Sequence, residues 1–199
     1  MLRKDVAIIK SKKYLLLFIP VIILIAFIIS PKRIIVSNCS NPPLKYNFAF
    51  SNIGKLDKLL SNQKFNYSTD INRKYISVIL LENNTAYVEE HIITDGGATD
   101  ITIPQNTNFI ISLHANSTIA YTWNIKNKFN TATIDFIKKT KISIPKYLFK
   151  PRTDGDDYDR ENLYFKSLNK GNEKLVLRYE HKEGQTAQFF ESTLNINIK

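Results

Sequence analysis

The sequence has little of what metal sites and disulfide frameworks are built from. It contains one cysteine, Cys39, and three histidines among its 199 residues. A single cysteine excludes an intrachain disulfide and any zinc site built on several thiolates. No histidine has a second histidine two or four residues away, which is the spacing typical of a metal-binding pair. We therefore expect no metal in this protein.

Catalytic and phosphate-binding motifs are also missing. The chain has six glycines, and they form neither a glycine-rich phosphate loop nor a nucleophile elbow. The acidic run at residues 154–159 lacks the glutamate that closes a calcium-binding loop. These absences predict that the protein is not an enzyme and uses no cofactor.

Positive charge is plentiful but concentrated at the N-terminus. The formal net charge is +10, and residues 1–33 hold seven basic side chains against one acidic side chain. The remaining basic residues are spread thinly, whereas a nucleic-acid interface needs them clustered on one face. We therefore expect no nucleic-acid partner.

An apolar segment follows the basic start. Residues 14–29 read YLLLFIPVIILIAFII, and a helix of that length reaches about 24 Å, near the short end for a bilayer core. We expect a cytoplasmic tail at residues 1–13 and a transmembrane signal-anchor helix at residues 14–30. The lysines before the helix place the N-terminus in the cytoplasm and the rest in the periplasm or outside the cell. A cleaved signal peptide is the alternative, because it has the same basic start and apolar middle.

The remainder reads as a linker followed by short strands. Residues 31–43 end in Ser-Asn-Pro-Pro, which is typical of a linker. Residues 44–91 form an N-terminal extension of uncertain fold, which either adds strands to a sheet edge or forms a small subdomain. Residues 92–199 contain many short alternating stretches and no long helix. This pattern predicts an all-β, immunoglobulin-like antiparallel sandwich.

Alternation of apolar and polar residues sets the predicted strands. Leucines at helical spacing near residue 56 predict one short helix. The predicted strands lie near residues 46–50, 75–81, 85–93, 99–103, 108–114, 121–125, 134–136, 163–165, 175–179 and 190–198.

One loop resembles the signature of a known family. Residues 116–123 read NSTIAYTW, which resembles the N-P-T-T-G-[YF]-x-W loop of the chagasin family of cysteine-protease inhibitors. The residues that match in identity and spacing are Asn116, Thr118, Tyr121 and Trp123. The residues that depart are Ser117, Ile119 and Ala120. Residues 163–179 and 190–198 resemble later strands of the family, so that the resemblance covers roughly residues 92–199.

The resemblance implies three loops gathered at one end of a sandwich. Such loops enter the active-site cleft of papain-like proteases as a wedge and block it without being cut. It also implies that Tyr121 and Trp123 serve mainly as scaffold, and that Asn116 braces the first loop. The implied protease-binding residues are Asn116, Ser117, Thr118, Ile119, Ala120 and Tyr121 in the first loop, Gly155, Asp156 and Asp157 in the second, and His181, Lys182 and Glu183 in the third.

The second and third loops depart from the family pattern. Residues 153–160 contain one glycine where the family is glycine-rich, and residues 180–184 lack the R-P-[WFY] aromatic anchor. The leading hypothesis is a membrane-anchored inhibitor of papain-type cysteine proteases. The alternative is an extracytoplasmic binding or assembly module of an envelope complex that inhibits no protease.

Overall fold

A computed structural model describes residues 43–66, 68, 70–116, 119–143, 159–182 and 188–199. The predicted basic tail, the predicted membrane helix and the linker up to residue 42 lie outside the described residues. Among the described residues, no helix combines the length and the apolar character that a membrane span requires.

The described part of the chain consists mainly of strands. They are β1 (Lys45–Ala49), β2 (Arg73–Glu82), β3 (Thr85–Thr94), β4 (Ala98–Ile103), β5 (Asn108–Ala115), β6 (Tyr121–Ile125), β7 (Ile134–Ile142), β8 (Asp159–Ser167), β9 (Gly171–His181) and β10 (Phe190–Ile198). A 3-10 helix at Ile53–Lys55 leads into α1 (Leu56–Leu60). The strands and the short helix predicted from the sequence are confirmed.

The strands form two sheets that share a core. The larger sheet has the order β1-β3-β2-β5-β8-β7, and the smaller has the order β4-β10-β9-β6. Ile111 and Phe165 of the larger sheet belong to the same buried cluster as Trp123 and Leu177 of the smaller sheet. Burial of this cluster between the sheets makes the described part an all-β sandwich, as predicted.

The predicted antiparallel pairing is wrong for one pair of strands. β4 pairs with β10 in parallel, from Ala98 opposite Thr193 to Ile103 opposite Ile198. After β3 the chain turns through Gly96, which has a positive φ of 68°, and crosses to the smaller sheet. Alternation of apolar residues defines a strand and its faces but carries no information on its direction, so the sequence could not indicate this crossing.

The N-terminal extension belongs to the larger sheet. β2 pairs with β5 from Ile76 opposite Leu113 to Leu81 opposite Asn108, and β3 and β1 follow outward. Of the two alternatives for residues 44–91, the structure has the added strands. The boundary predicted between residues 91 and 92 falls inside β3, because one hairpin contains both sides of it.

A short segment, residues 50–66, covers the outer face of the larger sheet, and we call it the cap. Leu56, Leu60 and Phe65 of the cap are fully buried and pack with Ile79 and Ile110. The central strands of the larger sheet are therefore covered on both faces. This explains why β2 is a nearly continuous buried run instead of an alternating one.

Candidate functional site

The strand ends that flank the three predicted loops lie together at one end of the sandwich. Ala115, which ends β5, is opposite Asp159, which begins β8. Tyr121, which begins β6, is opposite His181, which ends β9. We call this the loop end, and we call the end with the β2–β3 hairpin turn the opposite end. The loops' bases therefore meet where the resemblance requires them to meet.

One backbone–backbone hydrogen bond and one hydrogen bond to a side chain fix the bases of the first and third loops. The Lys182 N–H donates to the carbonyl of Ala120 at 2.8 Å. The Asn116 N–H donates to the hydroxyl of Tyr179 at 3.1 Å, from the larger sheet to the smaller. Because one of these bonds connects the two sheets, the bases of the first and third loops are fixed relative to each other.

The predicted site residues differ in their exposure. Asn116 is 1% exposed and lies at the base of the first loop, whereas Ile119 is 42% exposed. Ala120 and Lys182 are exposed, and Tyr121 and His181 are half-buried. The predicted site residues outside the described part are Ser117, Thr118, Gly155, Asp156, Asp157 and Glu183.

Trp123 supports the first loop from inside the core. Its side chain is fully buried, and its indole N–H donates to the carbonyl of His114 at 2.5 Å. Its ring packs against Tyr179 and Phe190, with centroid distances of 5.1 and 5.8 Å. The Tyr121 ring lies 5.4 Å from that of Tyr179. Aromatic packing of this kind holds the strand that follows the first loop against β9 and β10 of the smaller sheet, and the indole hydrogen bond connects that strand to β5 of the larger sheet.

A buried carboxylate joins the bases of the first and second loops. Glu161 of β8 accepts hydrogen bonds at 3.0 Å from the Thr122 hydroxyl and the Trp123 N–H of β6. It also pairs with Lys139 at 2.6 Å and Lys141 at 2.8 Å, both on β7. We call these five residues the Glu161 clamp. It connects β7 and β8 of the larger sheet with β6 of the smaller sheet.

The lysines keep the clamp charged. Burial alone would raise the pKa of the Glu161 carboxyl, but hydrogen bonds from Lys139 and Lys141 outweigh it and lower this pKa below its ordinary value. Lys139 also donates to the Thr122 hydroxyl at 2.7 Å and to the Trp123 carbonyl. A buried charge with this many partners is stabilising as a network, and removal of one member leaves the others unsatisfied.

Arg160 holds the base of the second loop on the other face of β8. Its buried guanidinium donates to the Ser77 hydroxyl at 3.0 Å and to the Ser112 carbonyl at 2.6 Å. The guanidinium also lies over the Phe65 ring of the cap, 4.5 Å from the centroid. Burial lowers the pKa of Arg160 to about 10, and the charge of Glu90 partly opposes that effect.

The cap is attached to the same polar cluster through Asn66. The backbone and side-chain N–H groups of Asn66 donate to the Glu90 carboxylate at 2.8 and 2.5 Å. The Asn66 carbonyl lies 2.6 Å from Nε2 of His114. Burial, with help from the charge of Arg160, holds the pKa of His114 well below its ordinary value. His114 is therefore neutral, and its Nε2–H donates to the Asn66 carbonyl.

Sequence reasoning did not identify Arg160, Glu161 or Lys139 as residues of the site. Charged residues near strand ends are usually exposed, so their residue types alone predicted that these side chains would be exposed. One signal was present for Glu161. It stands two and four residues before the apolar Leu163 and Phe165, so it shares their inward face if the strand begins early enough.

Comparison with known proteins gives a limited result. No family model matches the chain, and no curated protein matches it. Among solved structures, the chain is similar to the cysteine protease inhibitor EhICP2 from Entamoeba histolytica, with 18% identity, a TM-score of 0.36, and coverage of 52% of this chain and 96% of that chain. It is also similar to amebosin, with 21% identity, a TM-score of 0.33, and coverage of 52% and 97%.

The described residues show no metal centre. No group of three or more histidine, cysteine, aspartate or glutamate side chains in the described ranges is arranged to hold an ion. The charged groups of the Glu161 clamp are paired with one another, with the carboxylate buried and the two lysines partly exposed.

Proposed function

We propose that this protein is a membrane-anchored inhibitor of papain-type cysteine proteases whose loop end wedges into the active-site cleft. The observation that carries the proposal is the pairing of Ala115 with Asp159 and of Tyr121 with His181. These pairs bring the bases of three separate loops to one end of a rigid sandwich. A wedge needs this arrangement, because one loop alone fills only part of a cleft.

Rigidity is what makes such a wedge bind well. Loops that are ordered before binding lose little conformational freedom on association, so more of the contact energy appears as affinity. The Glu161 clamp and the Lys182–Ala120 hydrogen bond hold the loop bases in place. Exposed residues such as Ile119 and Lys182 then meet the protease without having to be ordered first.

The proposal includes the anchor and the orientation. Residues 14–30 hold the protein in a membrane with its N-terminus in the cytoplasm, and the sandwich lies in the periplasm or outside the cell. Tethering confines the inhibitor to one membrane face and raises its effective concentration against proteases that arrive there. This gain compensates for a third loop that lacks the family's aromatic anchor.

An inhibition assay tests the proposal. The full chain, purified in mild detergent, should slow papain or a cathepsin-L-like enzyme competitively. A variant with residues 117–120 scrambled should lose this effect. A control variant with Asn83 and Asn84 exchanged for glycine, at the opposite end, should inhibit like the wild type. Absence of inhibition at micromolar concentrations across several such proteases would contradict the proposal.

The second candidate function is an extracytoplasmic binding or assembly module that inhibits no protease. The specific observation in its favour is the enlargement of the sandwich by β1, β2, β3 and the cap, which a wedge does not need. Purification from solubilised membranes separates the two functions. A stable non-protease partner in a preparation that inhibits no protease would favour the module.

A further inference from the structure

A fourth loop, residues 70–72, lies at the loop end. It directly precedes β2, whose Ile76 is opposite Leu113 near the end of β5. β2 therefore begins at the level where β5 runs into the first candidate loop. The Asp95 N–H donates to the Asn72 carbonyl at 3.0 Å, which fixes the fourth loop against the turn that follows β3.

The same turn connects the fourth loop to the third. The Glu191 N–H donates to the Asp95 carboxylate at 2.8 Å, and the Gly96 N–H donates to the Glu191 carbonyl at 2.8 Å. Glu191 is the second residue of β10, which the third loop enters through Phe189. Phe189 is 47% exposed and stacks on the Arg178 guanidinium at 4.2 Å. Asp95 therefore connects the two regions, because it is hydrogen-bonded both to Asn72 of the fourth loop and to Glu191, which follows the third loop.

The fourth loop is a rigid turn with an apolar tip. The Asn72 N–H donates to the Asp70 carboxylate at 2.9 Å, and the Asp70 N–H donates to the Ser68 hydroxyl at 3.1 Å. Ile71 between them is 75% exposed, more than any other large hydrophobic side chain in the described ranges. When a partner covers a large aliphatic side chain that a turn holds out into water, the burial of its apolar surface stabilises the complex.

We propose that Ile71 forms a fourth contact with the protease, with its side chain packed against an apolar wall at the rim of the active-site cleft. This inference rests on the proposed function and extends it. The resemblance implies three contact loops, none of them from residues 44–91. The fourth contact gives the N-terminal extension a role in binding, and it adds an apolar residue at the loop end, where the third loop lacks the family's aromatic anchor.

The test compares two isoleucines of similar exposure. Ile71→Ser is measured beside Ile53→Ser, because Ile53 is 57% exposed and lies in the cap. The cap starts at the opposite end, where the Phe50 N–H donates to the Asn84 carbonyl at 2.8 Å. Inhibition constants of both full-length variants are measured against papain, together with their unfolding midpoints. Ile71→Val serves as the conservative variant.

We expect Ile71→Ser to raise the inhibition constant about tenfold, as loss of an interface hot spot does. Ile53→Ser and Ile71→Val should leave the constant within about twofold of the wild type, and none of these surface changes should move the unfolding midpoint appreciably. If the wild type inhibits and Ile71→Ser inhibits equally well, the inference is overturned and the proposed function stands. If the wild type does not inhibit, both are overturned. An equal loss in Ile53→Ser would also overturn the inference, because the effect would not belong to the loop end.

Discussion

Arg160 and Glu161, the second and third residues of β8, point to opposite faces of the larger sheet because successive side chains alternate along a strand. Arg160 reaches the cap, and Glu161 reaches β6 of the smaller sheet. Each charge is buried, and each has partners that make the burial tolerable. The two residues together pin the base of the second candidate loop from both sides.

Glu161→Gln should destabilise the protein by about 2–4 kcal/mol, because Lys139 and Lys141 lose the carboxylate that they share. Glu89→Gln is the control. Glu89 pairs with Lys45 at 3.0 Å on an exposed surface, so its loss should cost less than about 1 kcal/mol. Denaturant unfolding followed by the fluorescence of Trp123, the single tryptophan, measures both. Equal costs would show that the clamp contributes nothing beyond a surface ion pair.

His114 should make stability depend on pH. Its folded-state pKa is lowered from the ordinary 6.5, so the unfolded chain takes up the proton first as the pH falls. The contribution of neutral His114 is therefore fully present above about pH 6.5 and is lost below it. The slope reaches about 1.4 kcal/mol per pH unit until the folded-state pKa is passed. The free energy of unfolding of wild type and His114→Gln is measured from pH 5 to 8, and below pH 6.5 that of the wild type should fall more steeply than that of the variant. Parallel curves would contradict this assignment.

The positions of the strands could be predicted from the sequence more readily than the way in which the strands pair into sheets. Tyr121, Trp123 and Ile125 alternate, and β6 occupies those residues. Alternation reports a local period of two, which one stretch of chain carries by itself. The crossing of β4 to the smaller sheet, and its parallel pairing with β10, depend on contacts between residues almost one hundred positions apart. No local pattern encodes such contacts.

The candidate site likewise has one part that the sequence predicts and one part that only the structure reveals. The first loop was found because its signature is contiguous in the sequence. The Glu161 clamp was missed because its five members come from three strands, β6, β7 and β8. Ile71 was missed because an isolated isoleucine next to asparagine and aspartate has no pattern around it. Its exposure became evident only with the turn at residues 70–72 in place.

The cap is the element whose placement is most easily tested. Leu60 is fully buried in the cluster on the outer face of the larger sheet, whereas Leu59 is only partly buried against it. Leu60→Ala should cost about 2–5 kcal/mol through the cavity that it leaves, and Leu59→Ala should cost clearly less. Thermal or denaturant unfolding gives both values. A Leu60→Ala variant as stable as Leu59→Ala would contradict the packing of the cap on the sheet.

At the scale of the whole molecule, the two ends of the sandwich differ. The opposite end carries a tight hairpin turn, where Asn83 and Asn84 both adopt positive φ angles, as two-residue turns between strands require. The loop end carries the bases of the three candidate loops and the fourth loop with Ile71. The bases of the three candidate loops and the fourth loop thus lie at one end, which is the arrangement that the proposed wedge uses.

The central claim, that the loop end occupies a protease active site, is tested most directly by protection of the protease's catalytic cysteine. The full chain carrying Cys39→Ser has no thiol of its own, since Cys39 is the single cysteine. The rate at which iodoacetamide alkylates papain is then measured with increasing amounts of this protein. We predict that alkylation slows in proportion to the fraction of papain bound, and that the variant scrambled at residues 117–120 gives no protection. An unchanged rate of alkylation at saturating concentrations would contradict the claim.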